Sequence, residues 1–293
     1  MSRRLFTIAG LLLVTALLAT SGCDKASKTI RLRLKLPPGL VTTYDFTQRS
    51  KAIAMVGDSV ISESTHDRKA KYSERTDSLS GDTASWVTVT SLMSSGSTTK
   101  NDTTITDTVT EEKQYSYLGQ VNGEILTLIP ISGVDQEWAE NQMEYLKQVQ
   151  PTFPETDMTV GFTWTKNVKV MLFGETREAN GVYTLKSFVR DRGYDCAVID
   201  YEGHYILPVD KQSEKYKVTG ASTITTKGTL YFAYREGILV QDRTWWVVNS
   251  DRTVNYLVDS EDGKHKAGTK REVNVVTEGD SQYTLADVTF PEP

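Results

Sequence analysis

An alternation of apolar and polar residues begins near residue 30 and recurs along most of the chain. Four apolar residues from Ile30 to Leu36 alternate with two arginines and a lysine. A period of two places the apolar side chains on one face of a strand and the charged side chains on the other. The pattern predicts a half-buried strand over 30–36, which Pro37-Pro38-Gly39 ends.

Further strand-like stretches follow, and short turn signals rich in glycine, asparagine and aspartate separate them. The predicted strands cover 41–55, 60–72, 86–92, 162–172, 182–189, 194–201, 204–207, 229–234, 238–248, 254–258, 273–276 and 283–290. The predicted turns are Gly57-Asp58, Asn180-Gly181, Asp191-Arg192-Gly193, Glu202-Gly203, Lys227-Gly228, Glu236-Gly237, Asn249-Ser250-Asp251 and Glu261-Asp262-Gly263. Connections this short join antiparallel neighbours, whereas parallel strands need long crossovers. The predicted fold is mainly β, an antiparallel meander that forms a curved sheet or half-barrel.

One segment departs from the β pattern. Over 135–150 the apolar residues recur at helical spacing, and Pro151 ends the run. We predict an amphipathic helix there, packed against the sheet or closing the mouth of a barrel. The helix divides the chain into an N-terminal β unit over 30–133, the helix itself over 134–151, and a C-terminal β unit over 152–293.

The segment 94–110 is dominated by hydroxyl side chains, with Ser or Thr at 10 of 17 positions. Two interpretations are open. The segment is an exposed hairpin, because threonine favours strands, or it is a mobile loop, because it has little apolar surface to bury. The sequence favours the hairpin.

The charge of the chain limits its partners. The sequence has 33 basic and 38 acidic residues, a formal net charge of −5. An acidic balance argues against a nucleic-acid partner, which needs a concentrated basic patch. It argues equally against general adhesion to anionic lipid headgroups.

The first 22 residues differ from the rest of the chain. Arg3-Arg4 is followed by an apolar run over 5–19, and small residues lead to Cys23. A basic start, a short apolar core and small residues before a cut site are typical of a secretory signal peptide. Because the small residues end at a cysteine, this stretch resembles a bacterial lipoprotein signal.

The resemblance implies a mature protein that begins at Cys23. In that family the cysteine thiol carries fatty acyl chains such as palmitate, so residues 1–22 are removed and 23–29 form a lipidated tether. The acyl chains then make the membrane a partner and place the protein in the cell envelope, facing the periplasm or the exterior; two or more chains anchor stably. The alternative is an ordinary signal peptide with a cysteine near its cut site.

The second cysteine is expected in the core. Cys196 lies in the strand-like run 194–199, and lipidation of Cys23 would leave it as the single thiol of the mature chain. A reactive thiol needs a positive neighbour, which the adjoining sequence does not supply. We therefore predict a buried, unreactive cysteine.

Catalytic motifs are weak. Gly57-Asp58-Ser59 together with Asp262 and His265 matches the letters of the GDS-type hydrolase blocks. That family presents its serine at a strand-to-helix turn, whereas this serine lies in a strand-rich region. We expect a protein that is not an enzyme, with the hydrolase as a distant alternative.

Metal and cofactor motifs are also absent from the sequence. The three histidines, His66, His204 and His265, are far apart and fit no ligand spacing. We predict neither a metal nor a cofactor.

The aromatic residues give a stronger indication of a site. Trp245 and Trp246 are consecutive, so in a strand they point to opposite faces. Trp164 lies in another predicted strand. Core packing explains much of this aromatic content, and the alternative is an apolar groove on a curved sheet in which Trp164, Trp245 and Trp246 grip a ligand.

The second half of the chain resembles uncharacterised exported β lipoproteins. The segment Gly228–Val240 looks like their strand–Gly–strand unit, and Tyr183-Thr184-Leu185 and Cys196–Ile199 extend the likeness. By architecture the chain is similar to the half-barrel with an inner helix of lipoprotein-carrier proteins. We expect a non-catalytic, lipid-anchored envelope protein whose concave β face binds an apolar ligand or a protein partner. The alternative is an assembly component of an envelope complex without a small-molecule pocket.

Overall fold

The computed structural model is built around one antiparallel sheet. It describes residues 28–100, 103–136, 138–140, 142–143, 151–172, 175–259 and 265–291. Eleven strands pair in the order β5-β4-β3-β2-β1-β11-β10-β9-β8-β7-β6. They are β1 (Val41–Val56), β2 (Ser59–Ser80), β3 (Thr83–Lys100), β4 (Thr103–Gln120), β5 (Ile125–Ser132), β6 (Thr163–Leu172), β7 (Glu175–Asp191), β8 (Tyr194–Gln212), β9 (Tyr216–Ala233), β10 (Ile238–Tyr256) and β11 (Lys270–Thr289).

The strand order confirms the predicted mainly β meander. Strands that are consecutive in sequence pair with each other, apart from β5 and β6, and β1 also pairs with β11 and so joins the two ends of the chain. The outermost strands are β5 and β6, so the described sheet is curved but not closed. Strands β1–β5 come from the predicted N-terminal unit and β6–β11 from the C-terminal unit. Because the two sets share one sheet, the division into units stays a prediction.

One end of the sheet, here called the capped end, carries the start of β1 and the β2–β3, β4–β5, β7–β8 and β9–β10 turns. Residues 30–40 cross this end. The Leu34 amide donates to the Val121 carbonyl at 2.7 Å, and the Lys35 amide donates to the Gly237 carbonyl at 3.0 Å. The segment therefore ties together turns that belong to opposite halves of the sheet.

The predicted strand over 30–36 is wrong. The segment is extended, but it joins no ladder and makes a single bridge, from Ile30 to Met158. Its alternation has another origin, because one side packs on the core while the charged side faces water. Leu32 is 1% exposed and Leu36 is 8% exposed, whereas the arginine and lysine side chains between them are exposed.

Residues 94–100 and 103–110 of the hydroxyl-rich segment pair as the distal part of a hairpin, as predicted, and 101–102 lie outside the described residues. β3 pairs with β4 from Thr83 opposite Gln120 to Lys100 opposite Thr103. Thr99 and Thr104 exchange a hydroxyl hydrogen bond of 2.9 Å there. Strand propensity and cross-strand hydroxyl pairs therefore order a segment that has little apolar surface.

The predicted helix lies partly outside the described residues. Residues 136, 138–140 and 142–143 are helical. The Asp135 carboxylate accepts from the Trp138 amide at 2.7 Å, which is an N-terminal cap. Trp138 packs on Tyr115 with ring centroids 5.5 Å apart, and Ala139 is 2% exposed. The helix start therefore packs against the concave face. Within the described part of the chain, no helix combines the length and apolar character needed to cross a bilayer.

Cys196 is buried, as predicted. It is fully inaccessible in a core cluster with Ala233, Ile238 and Val240. Burial, with the negative charge of Asp191 as a smaller cause, raises the pKa of the thiol to about 11. The thiolate that reacts with reagents is therefore scarce at neutral pH.

We expect a Cys23→Ala variant to resist thiol labelling in its native state. At pH 8 the thiol of Cys196 should not react with a disulfide reagent within the hours in which the unfolded chain reacts fully. Labelling with and without denaturant, followed by intact mass measurement, checks this. Stoichiometric modification of the native variant would show that the core around Cys196 opens readily.

Candidate functional site

A cavity of about 540 Å³ lies on the concave face of the sheet. Strands from both halves of the chain contribute to its walls. The lining includes Tyr44 and Phe46 from β1, Tyr72 and Glu74 from β2, Tyr117 from β4, Tyr201 from β8, Asp242 and Trp246 from β10, and Tyr283 from β11. Side chains that belong to strands far apart in the sheet order meet around one space, which shows how strongly the sheet curves.

Strand register explains why these side chains share one face. Tyr44 pairs with Tyr72 across β1 and β2, and Asp242 pairs with Tyr283 across β10 and β11. Directly paired residues of neighbouring strands project to the same side. Every second residue along each strand then continues the lining.

Apolar side chains line the cavity towards the capped end. Leu34, Leu36 and Leu40 come from the segment that crosses this end, and Ile238 and Leu239 come from the start of β10. Leu40 is 1% exposed and Ile238 is 3% exposed. This part of the cavity suits a hydrocarbon group.

Four rings form what we call the aromatic wall: Tyr44, Phe46, Tyr72 and Tyr283. Tyr44 stacks on Tyr283 with centroids 4.6 Å apart, and Tyr72 lies 5.4 Å from Tyr283. Phe46 meets Tyr72 edge-on at 5.9 Å. Contacts of this geometry add to the stability that burial provides, so the wall is a preorganised surface.

Glu74 lies beside the aromatic wall, two residues after Tyr72 on the same face of β2. Its Oε1 accepts a hydrogen bond of 3.2 Å from the Tyr117 hydroxyl. Protein atoms surround the carboxyl group, although the side chain stays partly accessible from the cavity. Burial raises the pKa of Glu74 to about 7, and the hydrogen bond from Tyr117 opposes that rise.

A second carboxyl group, Asp242, lies on the C-terminal side of the cavity. Its Oδ1 accepts a hydrogen bond of 2.8 Å from the Tyr201 hydroxyl, and Tyr201 also shares a hydrogen bond with Thr244. Burial raises the pKa of Asp242 to about 6, against the hydrogen bond from Tyr201. Each half of the sheet thus presents one tyrosine-bonded carboxyl group to the cavity.

Inward-facing glycines make room for several rings of the lining. A β-carbon at Gly228 would overlap the phenol of Tyr201, the residue directly opposite in β8. A β-carbon at Gly279 would overlap the indole of Trp246, its partner in β10. The rings therefore lie flat on the sheet, which leaves the middle of the concave face unfilled.

Glycines that lie inside strands overturn part of the turn prediction. Asn180-Gly181, Glu202-Gly203 and Lys227-Gly228 are predicted turns, yet each lies inside a continuous strand, β7, β8 or β9. The predicted turn at 249–251 is also wrong, because β10 runs through it. Ser250 there shares a buried hydroxyl hydrogen bond of 2.6 Å with Ser222.

The three tryptophans proposed as ligand contacts occupy different places. Trp246 lines the cavity, and Trp245 lies on the outer face of β10 with 44% of its surface exposed. The prediction that these two neighbours face opposite sides is confirmed. Trp164 stacks on Tyr183 at 5.4 Å, and its indole N–H donates to the Thr152 carbonyl at 3.0 Å. The structure brings Trp246 alone of the three to the cavity, and ligand contact by any of them stays a prediction.

Ser59 and His265, two residues of the hydrolase alternative, are not part of this cavity lining. Ser59 is the first residue of β2 and follows a strand–turn–strand connection. His265 stacks on Tyr256 with centroids 4.3 Å apart, and Asp262 lies outside the described residues. The strand-to-helix turn that such a serine needs does not occur at Ser59.

Within the described ranges, no group of three or more His, Cys, Asp and Glu side chains is placed to hold a metal ion. His66 and His204 are exposed on the sheet. The predicted lipidation site, Cys23, and the signal peptide of residues 1–22 lie outside the described residues.

Glu74 and Asp242 are the site residues that the sequence alone does not identify. Neither belongs to a recognisable motif. The one available signal is their position: on the inward side of its strand, Glu74 follows Tyr72 by two residues and Asp242 precedes Trp246 by four. A charged residue at an apolar position of a period-two pattern indicates a buried polar group.

Comparisons with known proteins give no family. No family model matches the chain, and no curated protein matches it. A structure described as lipid–protein interactions in lipovitellin is similar over 88% of this chain and 26% of that chain, with 11% identity and a TM-score of 0.48. This chain therefore spans about a quarter of the lipovitellin chain.

Two bacterial proteins are more distant in shape. An outer membrane channel from Pseudomonas putida F1 is similar over 85% of this chain and 97% of that chain, with 8% identity and a TM-score of 0.27. The β domain of the Bordetella autotransporter BrkA is similar over 83% and 99%, with 9% identity and a TM-score of 0.26. Likeness at this level carries no argument about function.

Proposed function

We propose that this is a non-catalytic, lipid-anchored protein of the cell envelope that holds an apolar or amphipathic ligand in its concave cavity. The observation that carries the proposal is the cavity itself. Its volume of about 540 Å³ lies within the range of about 300–1,000 Å³ that is typical of small-molecule sites. Rings and aliphatic side chains dominate its lining, with a few polar groups among them.

The cavity favours ligand binding over the alternative of an assembly component without a pocket. A protein that only packed its core would fill the concave face with side chains, because interiors are close-packed. Here Gly228 and Gly279 let large rings lie flat, so the space between the walls stays open. Such an arrangement favours a protein that accommodates a second molecule.

The lipid anchor is the second part of the proposal. Cys23 follows a signal-like stretch, and only residues 24–27 separate it from Lys28, whose ammonium group lies over the rings of Phe188 and Tyr234 in the body. Acyl chains on Cys23 would supply about 0.8 kcal/mol of membrane affinity per buried methylene. The net charge of −5 argues against adhesion to an anionic bilayer through charge attraction alone.

Two neighbouring threonines offer a matched test of ligand binding. Thr226 lines the cavity, whereas Thr225 faces the outer side of β9 and bonds to His204. We expect Thr226→Phe to lose binding of the neutral apolar probe N-phenyl-1-naphthylamine, with Thr225→Phe retaining it. Probe fluorescence titrations measure this, and mass spectrometry of solvent extracts compares the lipid that copurifies with each variant. Equal probe binding and equal lipid content in the two variants would contradict the proposal.

The anchor is tested separately. We expect the native protein to partition into the membrane fraction and a Cys23→Ala variant to remain in buffer, because the thiol is the acylation site. Detergent phase separation and the mass of the N-terminal peptide check this. A membrane-bound Cys23→Ala variant, or an unmodified thiol in the native protein, would contradict the anchor while leaving the cavity proposal intact.

A further inference from the structure

We infer that the cavity selects amphipathic ligands that carry a cationic ammonium group, which Glu74 and the aromatic wall hold together. The inference rests on the proposed function and names the chemical class of its ligand. Three features of the described residues support this inference. They are the position of the Glu74 carboxylate, the rings beside it, and the apolar side chains that line the cavity towards the capped end.

The carboxylate of Glu74 has acceptor capacity that the protein leaves unused. In the described part of the chain it accepts one hydrogen bond, from Tyr117, and forms no ion pair. The adjacent cation, Arg75, faces the outer side of β2 and pairs with Asp77 at 2.9 Å. A carboxylate offers about four acceptor positions, so a ligand cation entering the cavity meets an unpaired anionic partner.

The tyrosines on other strands that interact electrostatically with Glu74 are neutral phenols. They are Tyr44 on β1, Tyr117 on β4 and Tyr283 on β11, and burial raises the pKa of each phenol further above its ordinary value. At any pH near neutral these groups therefore remain hydroxyls. They do not compete with the carboxylate for a cation, and they do not repel one.

The aromatic wall is suited to the same cation. Ring faces attract ammonium groups, and recognition of quaternary ammonium by clustered rings is a known use of this attraction. Tyr72 is two residues from Glu74 on the same face of β2, a separation of about 7 Å along a strand. One ammonium group can therefore touch a ring and lie near the carboxylate.

The part of the cavity beyond Glu74 and the aromatic wall indicates the chemistry of the rest of the ligand. Leu34 and Leu239 line the cavity towards the capped end and stay partly accessible, so a hydrocarbon chain there would displace water from apolar surface. A charged head at Glu74 and an apolar tail at the capped end describe a cationic amphiphile. Fatty acids, whose heads are anionic, are the expected poor ligands.

Three twelve-carbon amphiphiles with different heads test this at pH 8: dodecyltrimethylammonium and dodecanoate, each below its micelle concentration, and dodecanol, below its solubility limit. We expect the Cys23→Ala protein to bind dodecyltrimethylammonium most tightly in tryptophan fluorescence titrations. Glu74→Gln should weaken that binding roughly tenfold and leave dodecanol unchanged, the scale expected for a partly desolvated cation beside rings and a carboxylate. Asp45→Asn on the outer face of β1 is the control and should match the parent.

The pH dependence gives a second measurement on the unmutated cavity. The pKa of Glu74 is about 7 and that of Asp242 is about 6, so both carboxyls gain charge between pH 5.5 and pH 8. Affinity for dodecyltrimethylammonium should rise over this interval, and affinity for dodecanol should stay constant. In Glu74→Gln the rise should shrink and shift to lower pH.

The outcomes separate the inference from the proposed function. If dodecanoate binds as tightly as the ammonium compound, or if Asp242→Asn rather than Glu74→Gln removes the preference, the inference is wrong and apolar ligand binding stands. If none of the three compounds binds, the proposed function fails and the inference fails with it.

Discussion

Replacing Glu74 with glutamine is expected to stabilise the protein at pH 8 by about 3 kcal/mol. The pKa of Glu74 is raised from 4.5 to about 7, and each unit of difference between the folded and unfolded states corresponds to about 1.4 kcal/mol. Glutamine keeps the shape and an oxygen acceptor for the Tyr117 hydroxyl, but it carries no charge to desolvate.

The direction in which the free energy of unfolding changes with pH follows from proton binding. Between pH 4.5 and about pH 7 the folded protein holds a proton on Glu74 that the unfolded chain has released. Stability therefore falls as pH rises through this interval and levels off above it. Below pH 4 both states are protonated, so the advantage of Glu74→Gln should vanish there.

Urea unfolding of the Cys23→Ala protein and its Glu74→Gln variant at pH 4, 6 and 8 measures this difference. Glu63→Gln is the matched control, because Glu63 is on the same strand in a partly exposed ion pair with Lys51; exposed pairs contribute about 0–1 kcal/mol. A Glu74→Gln variant that is less stable than the parent at pH 8 would show that the carboxylate has a stabilising partner. The expected result, a stabilising change at the proposed site, is typical of groups kept for binding at a cost to stability.

A methyl group at position 279 is expected to destabilise the protein by roughly 3 kcal/mol, the upper part of the range for overpacking. In Gly279→Ala the new β-carbon would overlap the indole of Trp246 and lie 2.7 Å from the carbonyl oxygen of Arg49. The indole can turn into the cavity, but the backbone of β1 cannot move without straining its pairing with β11.

Chemical unfolding measures this loss, and tryptophan fluorescence reports the displaced indole. Ser281→Ala is the control, since it removes an oxygen from the next inward position of the same strand and adds no atom. Combining Gly279→Ala with Trp246→Ala should recover part of the loss, because the ring overlap then disappears while the contact with Arg49 remains. A neutral Gly279→Ala variant would show that the ring does not lie against this strand.

The fold class is readable in the sequence because its cause is local. Alternation fixes which face of a strand is buried, and the hydroxyl-rich segment 94–110 forms a hairpin through the strand preference of threonine. The burial of Cys196 follows from the apolar run around it. These features depend on neighbours a few residues apart.

Strand lengths were harder to predict, since they depend on contacts across the sheet. Gly181, Gly203 and Gly228 look like turn residues, but all three lie inside strands, and Gly228 is needed for the close approach of the Tyr201 ring. Ile30–Leu36 has the alternation of a strand, but its partners are turns brought together by the whole fold. Local patterns contain no information about such partners.

The candidate site was predicted only in outline. The sequence offers an aromatic groove on a curved sheet as the alternative to core packing, and of its three tryptophans the structure places Trp246 in the cavity lining. Glu74 and Asp242 are identifiable only once β2 and β10 are known to face the same space. The meeting of their carboxyl groups with Tyr117 and Tyr201 depends on strand register.

The bridge between Ile30 and Met158 fixes how an acylated protein would stand on a bilayer. Seven residue steps from Cys23 to Ile30 span at most about 25 Å, so the capped end would be the membrane-proximal one. β2 has 22 residues, and at about 3.4 Å each its hairpin would rise roughly 70 Å into the envelope. The cavity is lined by the first half of β1, so it would lie low on this upright body, close to the lipid surface.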